Sequence, residues 1–424
     1  MNYIKRNIFV TLLATFLISL GLNSCKNLDF PNPNDPDLDN PPDIQRLVSG
    51  SESEMRNELE IYLRVVETFG RNAYYFEVAD PRYTGELLTG PIDEGGFLLN
   101  RHWQSCYRVI KTSSVILDAY SNDKQATGFA HTIIGYQLLM LLNFTNDNGI
   151  KIVFSEDVNT PFVSKAEAYT EIERRLDLGY ADLTSGGTAN YALSSGFDDV
   201  TLAEFNRAIK ARVLVLQGKW AEALTTLDDS FIDETAAMDL GAYHVYTSGA
   251  GDQNNSLWED PLSTGLKLYA HPSFKTDAEA GDTRFSSKVL ERPDSLTGSF
   301  NSLTSTLAVT IVSDLFDKIS IIRNEELLLL RAEANIGLGN NGTAETDINV
   351  VRAAAGLAGV DVTSMSAGDA LNQLLHEKRY SLFMEGHRWV DMRHYDKLGD
   401  LPLDRAGDVV IKEMPKPESE VAGG

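Results

Sequence analysis

Cysteine is nearly absent from this chain, with only Cys25 and Cys106 among 424 residues. A disulfide framework is therefore excluded, and stability has to come from buried surface, for which the chain is long enough. Basic charge is also short, with 37 Lys and Arg against 61 Asp and Glu, a net of −24. That sign disfavours binding to nucleic acid or to an anionic lipid surface. Enzyme signatures are missing as well: there is no G-x-S-x-G elbow, Walker loop, H-E-x-x-H or C-x-x-C. Nothing singles out a pair of carboxylates for glycoside hydrolysis. Long apolar runs are limited to "IFVTLLATFLISLGL", Ile8 to Leu22, which falls short of the roughly 20 residues of a spanning helix.

That run has the layout of an export signal over residues 1–24, with Lys5 and Arg6 before it and "LNSC" after it. The ending resembles a bacterial lipobox, so Cys25 is expected to be acylated and to anchor the mature chain to a membrane. Two or more acyl chains hold stably where one binds only marginally. With Cys25 lipidated, Cys106 has no partner. Its place in the apolar-patterned "WQSCYRVI" predicts a buried structural thiol. Residues 25–43, proline- and aspartate-rich, read as an extended tether. Asp35, Asp37 and Asp39 fail as a calcium loop, because Asn40 takes the turn-glycine place and Arg46 the terminal-glutamate place.

From Ile44 to the end a single body is expected, and its pattern is mostly helical. "GFAHTIIGYQLLMLLNF" is apolar nearly all round and predicts a central buried helix. Ser164 followed by Glu167 forms a capping-box signature. Strand alternation is scarce, with "LAVTIV" (Leu307 to Val312) a short candidate. Two helix pairs share one skeleton: Ala211, Gly218, Ala223 and Leu227 repeat the spacing of Ala332, Gly339, Ala344 and Ile348. This small–Gly–small–large order is that of a tetratricopeptide (TPR) hairpin, whose helices approach closely through small side chains. Trp220 fits the usual aromatic position after the glycine, whereas Asn341 does not. Residues 241–306 are irregular, rich in Gly, Ser, Asn, Asp and Thr, and too aromatic for a linker.

"LHEKRYSLFMEGHRWVDMRHYDKL", Leu375 to Leu398, concentrates ionisable side chains. Read as one helix, it puts His387, Asp391 and His394 on one face, with Gly386 as a mid-helix packing point. A metal or acid–base site competes here with a helix whose alternating charges pair with one another and with neighbouring helix ends.

Several segments, in order, resemble the SusD/RagB-type nutrient-binding outer-membrane lipoproteins of Bacteroidetes. "NLDFPNPNDP" after the lipobox is similar to that family's tether, and "HWQSCYRVIKTSSVIL" to its W-then-Y helix. "IIRNEELLLLRAEANIGLG" with "INVVRAAAGL" resembles its TPR hairpin, "HEKRYSLFMEGHRWVDMRHY" its E-R-x-x-E-x-x-x-E-G-x-R-W-x-D-x-R helix, and "EMPKPESEV" its closing segment. The chain departs from the family in being short and in reading "GYQLLMLLNFTNDNGIKIVF" where the first long helix usually leads to Y-G-D-V-P. The resemblance implies a mostly α SusD-like fold with TPR-like hairpins, a loop-built ligand face and little β structure. It also implies a binding protein without catalysis, metal or cofactor, exposed on the cell surface. Its partners would be an oligosaccharide and a TonB-dependent SusC-like transporter barrel. Peptide capture in the manner of RagB and a TPR-type scaffold without nutrient are the alternatives, with glycoside hydrolysis last.

Sugar recognition needs aromatic faces beside polar side chains. "AYYFEVADPRYTG" (Ala73 to Gly85) and "NNSLWEDPL" (Asn254 to Leu262) have that composition. The expected ligand contacts are Trp258, then Tyr83 and Arg82, then Tyr74, Tyr75 and Tyr269. Trp103, Trp220 and Trp389 sit in helical patterns and are assigned to the core.

Overall fold

The computed structural model describes residues 42–154, 160–249 and 252–421. The export signal, Cys25, the aspartate triplet and all of the tether but Pro42 and Asp43 lie outside the described residues. Helices dominate, as expected. The first two, α1 (Ile44–Glu54) and α2 (Leu59–Phe69), are followed by the long α3 (Phe97–Ala119) and α4 (Lys124–Thr145), then α5 (Lys165–Thr184). Helix α3 buries Leu98, Leu99, His102, Trp103, Cys106, Val109 and Ile110, a stripe at helical spacing. Burial pushes the Cys106 thiol far up, so it is an inert packing group. Helix α4 is covered on nearly every side, lying against α3 and α5. Asp123 caps its first turn by accepting from the backbone N–H of Gln125 and Ala126. At the start of α5 the Ser164–Glu167 capping box is present in both directions.

Both predicted hairpins form. They are α6 (Leu202–Val215) with α7 (Trp220–Leu227), and α8 (Asn324–Gly337) with α9 (Asn341–Ala354). Ala211, Ala223, Leu227, Ala332, Ala344 and Ile348 are all fully buried in them. Gly218 and Gly339 turn the corners in left-handed conformation, φ 69° and 77°. Trp220 is half-buried rather than central, because it covers the next hairpin. A Cβ on Gly337 would stand 2.5 Å from the Trp220 ring. Gly337→Val is expected to cost about 1–3 kcal/mol in urea unfolding, with part regained when Trp220→Leu is added. Full additivity of the two changes would show that they do not touch.

The 241–306 segment is less irregular than its composition suggests. It supplies β2 (Gly241–His244), β3 (Leu268–Ala270), β4 (Val289–Glu291), β5 (Gly298–Phe300) and β6 (Leu303–Ser305). Strands of three or four residues are too short for alternation to register in sequence. With β1 (Ala73–Tyr75) and β7 (Leu307–Val309) they build an antiparallel sheet of order β1-β3-β7-β4, while β2 pairs with β8 (Ile319–Arg323) and β5 with β6. "LAVTIV" thus contributes its first half.

Leu375 to Leu398 is not one helix. Helix α10 (Ala367–Ser381) stops, and α11 (Arg388–His394) starts after a turn. In that turn Met384 and Gly386 are left-handed, φ 64° and 84°. The buried Glu67 carboxylate accepts the Gly386 N–H at 2.7 Å. Gly386 is therefore a chain-reversal point. Phe383 and Trp389, on either side of this turn, are both buried in the core. No helix among the described residues is long and apolar enough to cross a membrane.

Candidate ligand-binding surface

Tyr74 and Tyr75 lie on β1, and Tyr74 pairs in register with Tyr269 on β3. Their side chains point to opposite faces of the sheet, as strand geometry requires. On one face Tyr74 stacks on Phe76 at 5.5 Å and donates to Asp404 at 2.7 Å. Phe76 in turn meets Tyr269 at 5.1 Å. On the other face Tyr75 meets Tyr83 edge-on at 4.7 Å, with the Arg64 guanidinium 4.2 Å over the Tyr75 ring. Tyr74, Tyr75, Tyr83 and Tyr269 are all buried. Desolvation pushes the Tyr75 and Tyr83 hydroxyls up to about 12. Tyr74, Tyr75 and Tyr83 act as packing groups beneath the surface. Arg82 is half-exposed, lies 4.5 Å over Phe97 and donates through Nε and Nη2 to Asp80 at 2.9 and 2.8 Å.

Trp258 has a different setting. It is half-buried, and its indole N–H donates to the Ser313 carbonyl at 2.9 Å. Asn255 stitches the same two loops together, with its backbone N–H on Leu315 O and its side-chain amide on Asp317 O, both 2.8 Å. The second loop carries Phe316, 45 % exposed. Arg64 Nη2 donates to Ser256 O at 2.6 Å, which joins the loop to the Tyr75 cluster. An indole held by its N–H, with an exposed phenyl on the adjoining loop and Asn254, Ser256, Asp260 and Asp314 around them, has the mixture a sugar requires: apolar faces for C–H surfaces and polar groups for hydroxyls.

Glu259, directly after Trp258, accepts the Lys267 backbone N–H at 2.6 Å. This bond ties the Trp258 loop to a shallow groove of about 420 Å³. Phe76 and Tyr269 form the groove's aromatic floor, with Thr264, Ser295, Thr297 and Ser299 on its rim. Glu77 and Lys267 form an ion pair across one end, which holds the Glu77 carboxyl below its usual range. Arg292 donates to Ser263 O at 2.6 Å and to the Tyr269 hydroxyl. Its Nε–H is buried and has no partner among the described residues, which leaves one strong donor uncommitted in the groove wall.

The structure therefore gathers the six sequence-selected residues around one loop cluster, with Trp258 and Arg82 at the surface, Tyr269 on the groove floor and the other three tyrosines packed beneath. Phe316 and Arg292 escaped the sequence reading. Phe316 lies between Asp314 and Asp317, the same polar company that singled out Trp258. No sequence signal marks Arg292, since its role depends on a partner 23 residues away.

His387, Asp391 and His394 do not converge. His387 Nε2 is 3.6 Å from Glu326, Asp391 accepts from Lys378 at 2.6 Å, and His394 meets the Tyr395 ring at 4.6 Å. Desolvation holds all three imidazoles of the stretch, on His376, His387 and His394, below their usual range. Among the described residues no group of three or more His, Cys, Asp or Glu is placed to hold a metal ion.

Residues 316–416 match the model of the SusD family. No curated protein matches the chain. Among solved structures, a SusD superfamily protein from Bacteroides vulgatus superposes with a TM-score of 0.69 at 15% identity, covering 91% of this chain and 96% of its own. A laminarin-binding SusD-like protein gives 0.67 at 16% identity, covering 89% and 96%. A protein crystallised with xylogluco-oligosaccharide gives 0.61 at 13% identity, covering 83% of each chain.

Proposed function

We propose that this chain, which has the SusD fold and carries the SusD family's sequence pattern over residues 316–416, captures oligosaccharides at the cell surface and hands them to a SusC-like TonB-dependent transporter. The observation that carries the reading is the loop surface itself. Trp258 and Phe316 lie on two loops stitched together by hydrogen bonds, and the Glu259–Lys267 bond ties the Trp258 loop to the groove that Arg292 lines. Two proteins of the same fold, one laminarin-binding and one crystallised with a xylogluco-oligosaccharide, support a glycan as the ligand class. The role is binding and delivery without catalysis. Acylated Cys25 would hold the body at the outer membrane, with residues 25–43 as its tether. The TPR-like hairpins on the α8–α9 side offer an extended helical surface for the transporter.

Isothermal titration of the chain lacking residues 1–25 against laminari-, xyloglucan- and malto-oligosaccharides and a set of peptides tests this. At least one glycan is expected to bind, and Trp258→Ala and Phe316→Ala each to weaken it about tenfold. Binding confined to peptides would move the protein to the peptide-capturing alternative. No binding of any class, together with no barrel recovered on pull-down, would overturn the proposal.

A further inference from the structure

On another part of the body, between β8, the start of β4 and the turn after α10, lies a cavity of about 470 Å³. One wall is apolar: Ile311, Ile319, Phe383 and Met384. Four cations line it, Arg284, Lys288, Lys318 and Arg323, with three carboxylates, Asp239, Glu325 and Glu385. The arginines are already satisfied. Arg323 pairs with Glu325 and, at 2.8 Å, with Glu385, while Arg284 pairs with Asp282 at 2.7 Å. The lysines are not. Lys288 Nζ donates only to main-chain carbonyls, Tyr380 O at 2.6 Å and Ser381 O. Lys318 Nζ sits 3.6 Å over the Tyr243 ring. Among the described residues neither ammonium group has a carboxylate in an ion pair with it, and Asp239 lines the same cavity.

Two further features point to an occupant. Ser320 lines the cavity, and its Oγ is shielded from solvent and has no hydrogen-bond partner among the described residues. Met384, also lining it, holds the left-handed backbone that side-chain-bearing residues seldom adopt. Such conformations persist where the surroundings enforce them, and they cluster at ligand clamps.

We propose that this cavity binds a small hydroxylated monocarboxylate of the uronic-acid class. The carboxylate would lie between Lys288 and Lys318, the ring against Phe383 and Met384, and hydroxyls on Ser320 and Asp239. The counter-charge for the carboxylate comes from Lys288 and Lys318, the two lining cations outside the ion pairs named above, whereas inorganic phosphate has no ring to cover Phe383 and Met384. The site is separate from the Trp258 surface and does not depend on it.

Titration of the chain with glucuronate, glucose and inorganic phosphate tests the assignment. Glucuronate is expected to bind about tenfold or more tighter than either control. Lys318→Glu, at an exposed side chain, is expected to weaken it about tenfold, with Lys288→Met doing the same. Trp258→Ala should leave it unchanged. If Lys288→Met fails to fold, Lys318→Glu decides alone. Glucuronate no tighter than glucose, phosphate tighter than glucuronate, indifference to Lys318→Glu, or loss on Trp258→Ala would each overturn the proposal.

Discussion

Glu377→Ala is expected to lower the unfolding free energy by about 3–5 kcal/mol, as removal of one member of a buried charge cluster does. The Glu377 side chain is fully buried on α10. Arg352 Nη1 donates to Oε1 at 2.5 Å, Gln373 Nε2 donates to the same oxygen at 2.7 Å, and Arg284 Nη1 lies 2.7 Å from Oε2. Alanine removes the shared anion and strands two buried guanidinium groups. Each keeps one other carboxylate, Asp282 for Arg284 and Glu279 for Arg352, so the fold should survive at reduced stability. Urea unfolding followed by far-UV circular dichroism measures the loss. Glu377→Gln retains the shape and part of the hydrogen bonding and should cost less than alanine. A loss under about 1 kcal/mol for Glu377→Ala would show that burial of the arginines, rather than their shared partner, holds this region together.

Trp389→Ala should cost a similar amount, about 3–5 kcal/mol, for a different reason. Its ring is fully buried, 4.8 Å from Phe69, with the Arg393 guanidinium 4.4 Å over it. Truncation opens a cavity where α2 meets α11. It also removes the indole N–H that donates to Ile411 O at 2.7 Å, so a partly buried carbonyl loses this partner. Trp389→Phe fills most of the cavity but not the hydrogen bond. The difference between the two variants, read from the same unfolding curves, isolates the packing contribution, and the loss that remains in Trp389→Phe relative to the unsubstituted protein reports the bond, at about 1 kcal/mol. Equal losses would place the whole effect in the lost hydrogen bond, and no loss in Trp389→Phe would place it in packing.

The two hairpins were legible because close helix packing demands small residues at fixed intervals, and Ala211, Gly218, Ala332 and Gly339 have no other economical explanation. Helix α4 was legible because an all-round apolar helix has only one place to go. The turn at Leu382–His387 was not. Apolar spacing runs through Phe383 and Met384 into Trp389 without interruption, and what reverses the chain is Glu67, distant in sequence, accepting the Gly386 N–H. The charges of that stretch do find partners, but across the fold: Arg388 on Gly70 O, and Arg393 on Asn143 O and Lys412 O. The tyrosines fail by the same logic. Polar neighbours in sequence suggested exposed rings at Tyr74 and Tyr75, yet Asp404 and Arg64, supplied from elsewhere, satisfy and cover them. For Trp258 the neighbours in sequence are also its neighbours in space, so its half-exposure was readable. The uncommitted Arg292 donor belongs to the first kind, visible only once the groove has formed.

The segment after α11 has a consequence for how the chain reaches its native state. Arg71 donates to Val409 O at 2.7 Å, Met414 N–H to Phe144 O at 3.0 Å, and Trp103 Nε1 to Glu420, 317 residues away, at 3.3 Å. Lys151 completes the clamp on Glu420 at 2.8 Å. Helices α2, α3 and α4 are thus made early during synthesis, yet partners for their buried polar groups emerge only at the far end of translation. Until then Trp103 and the Arg71 guanidinium wait without those partners. This body is expected to fold slowly and late, as long-range closure dictates. Under the proposed function, in which the chain is exported, that delay has a use, because a polypeptide that has not yet closed is still one that can be threaded across a membrane.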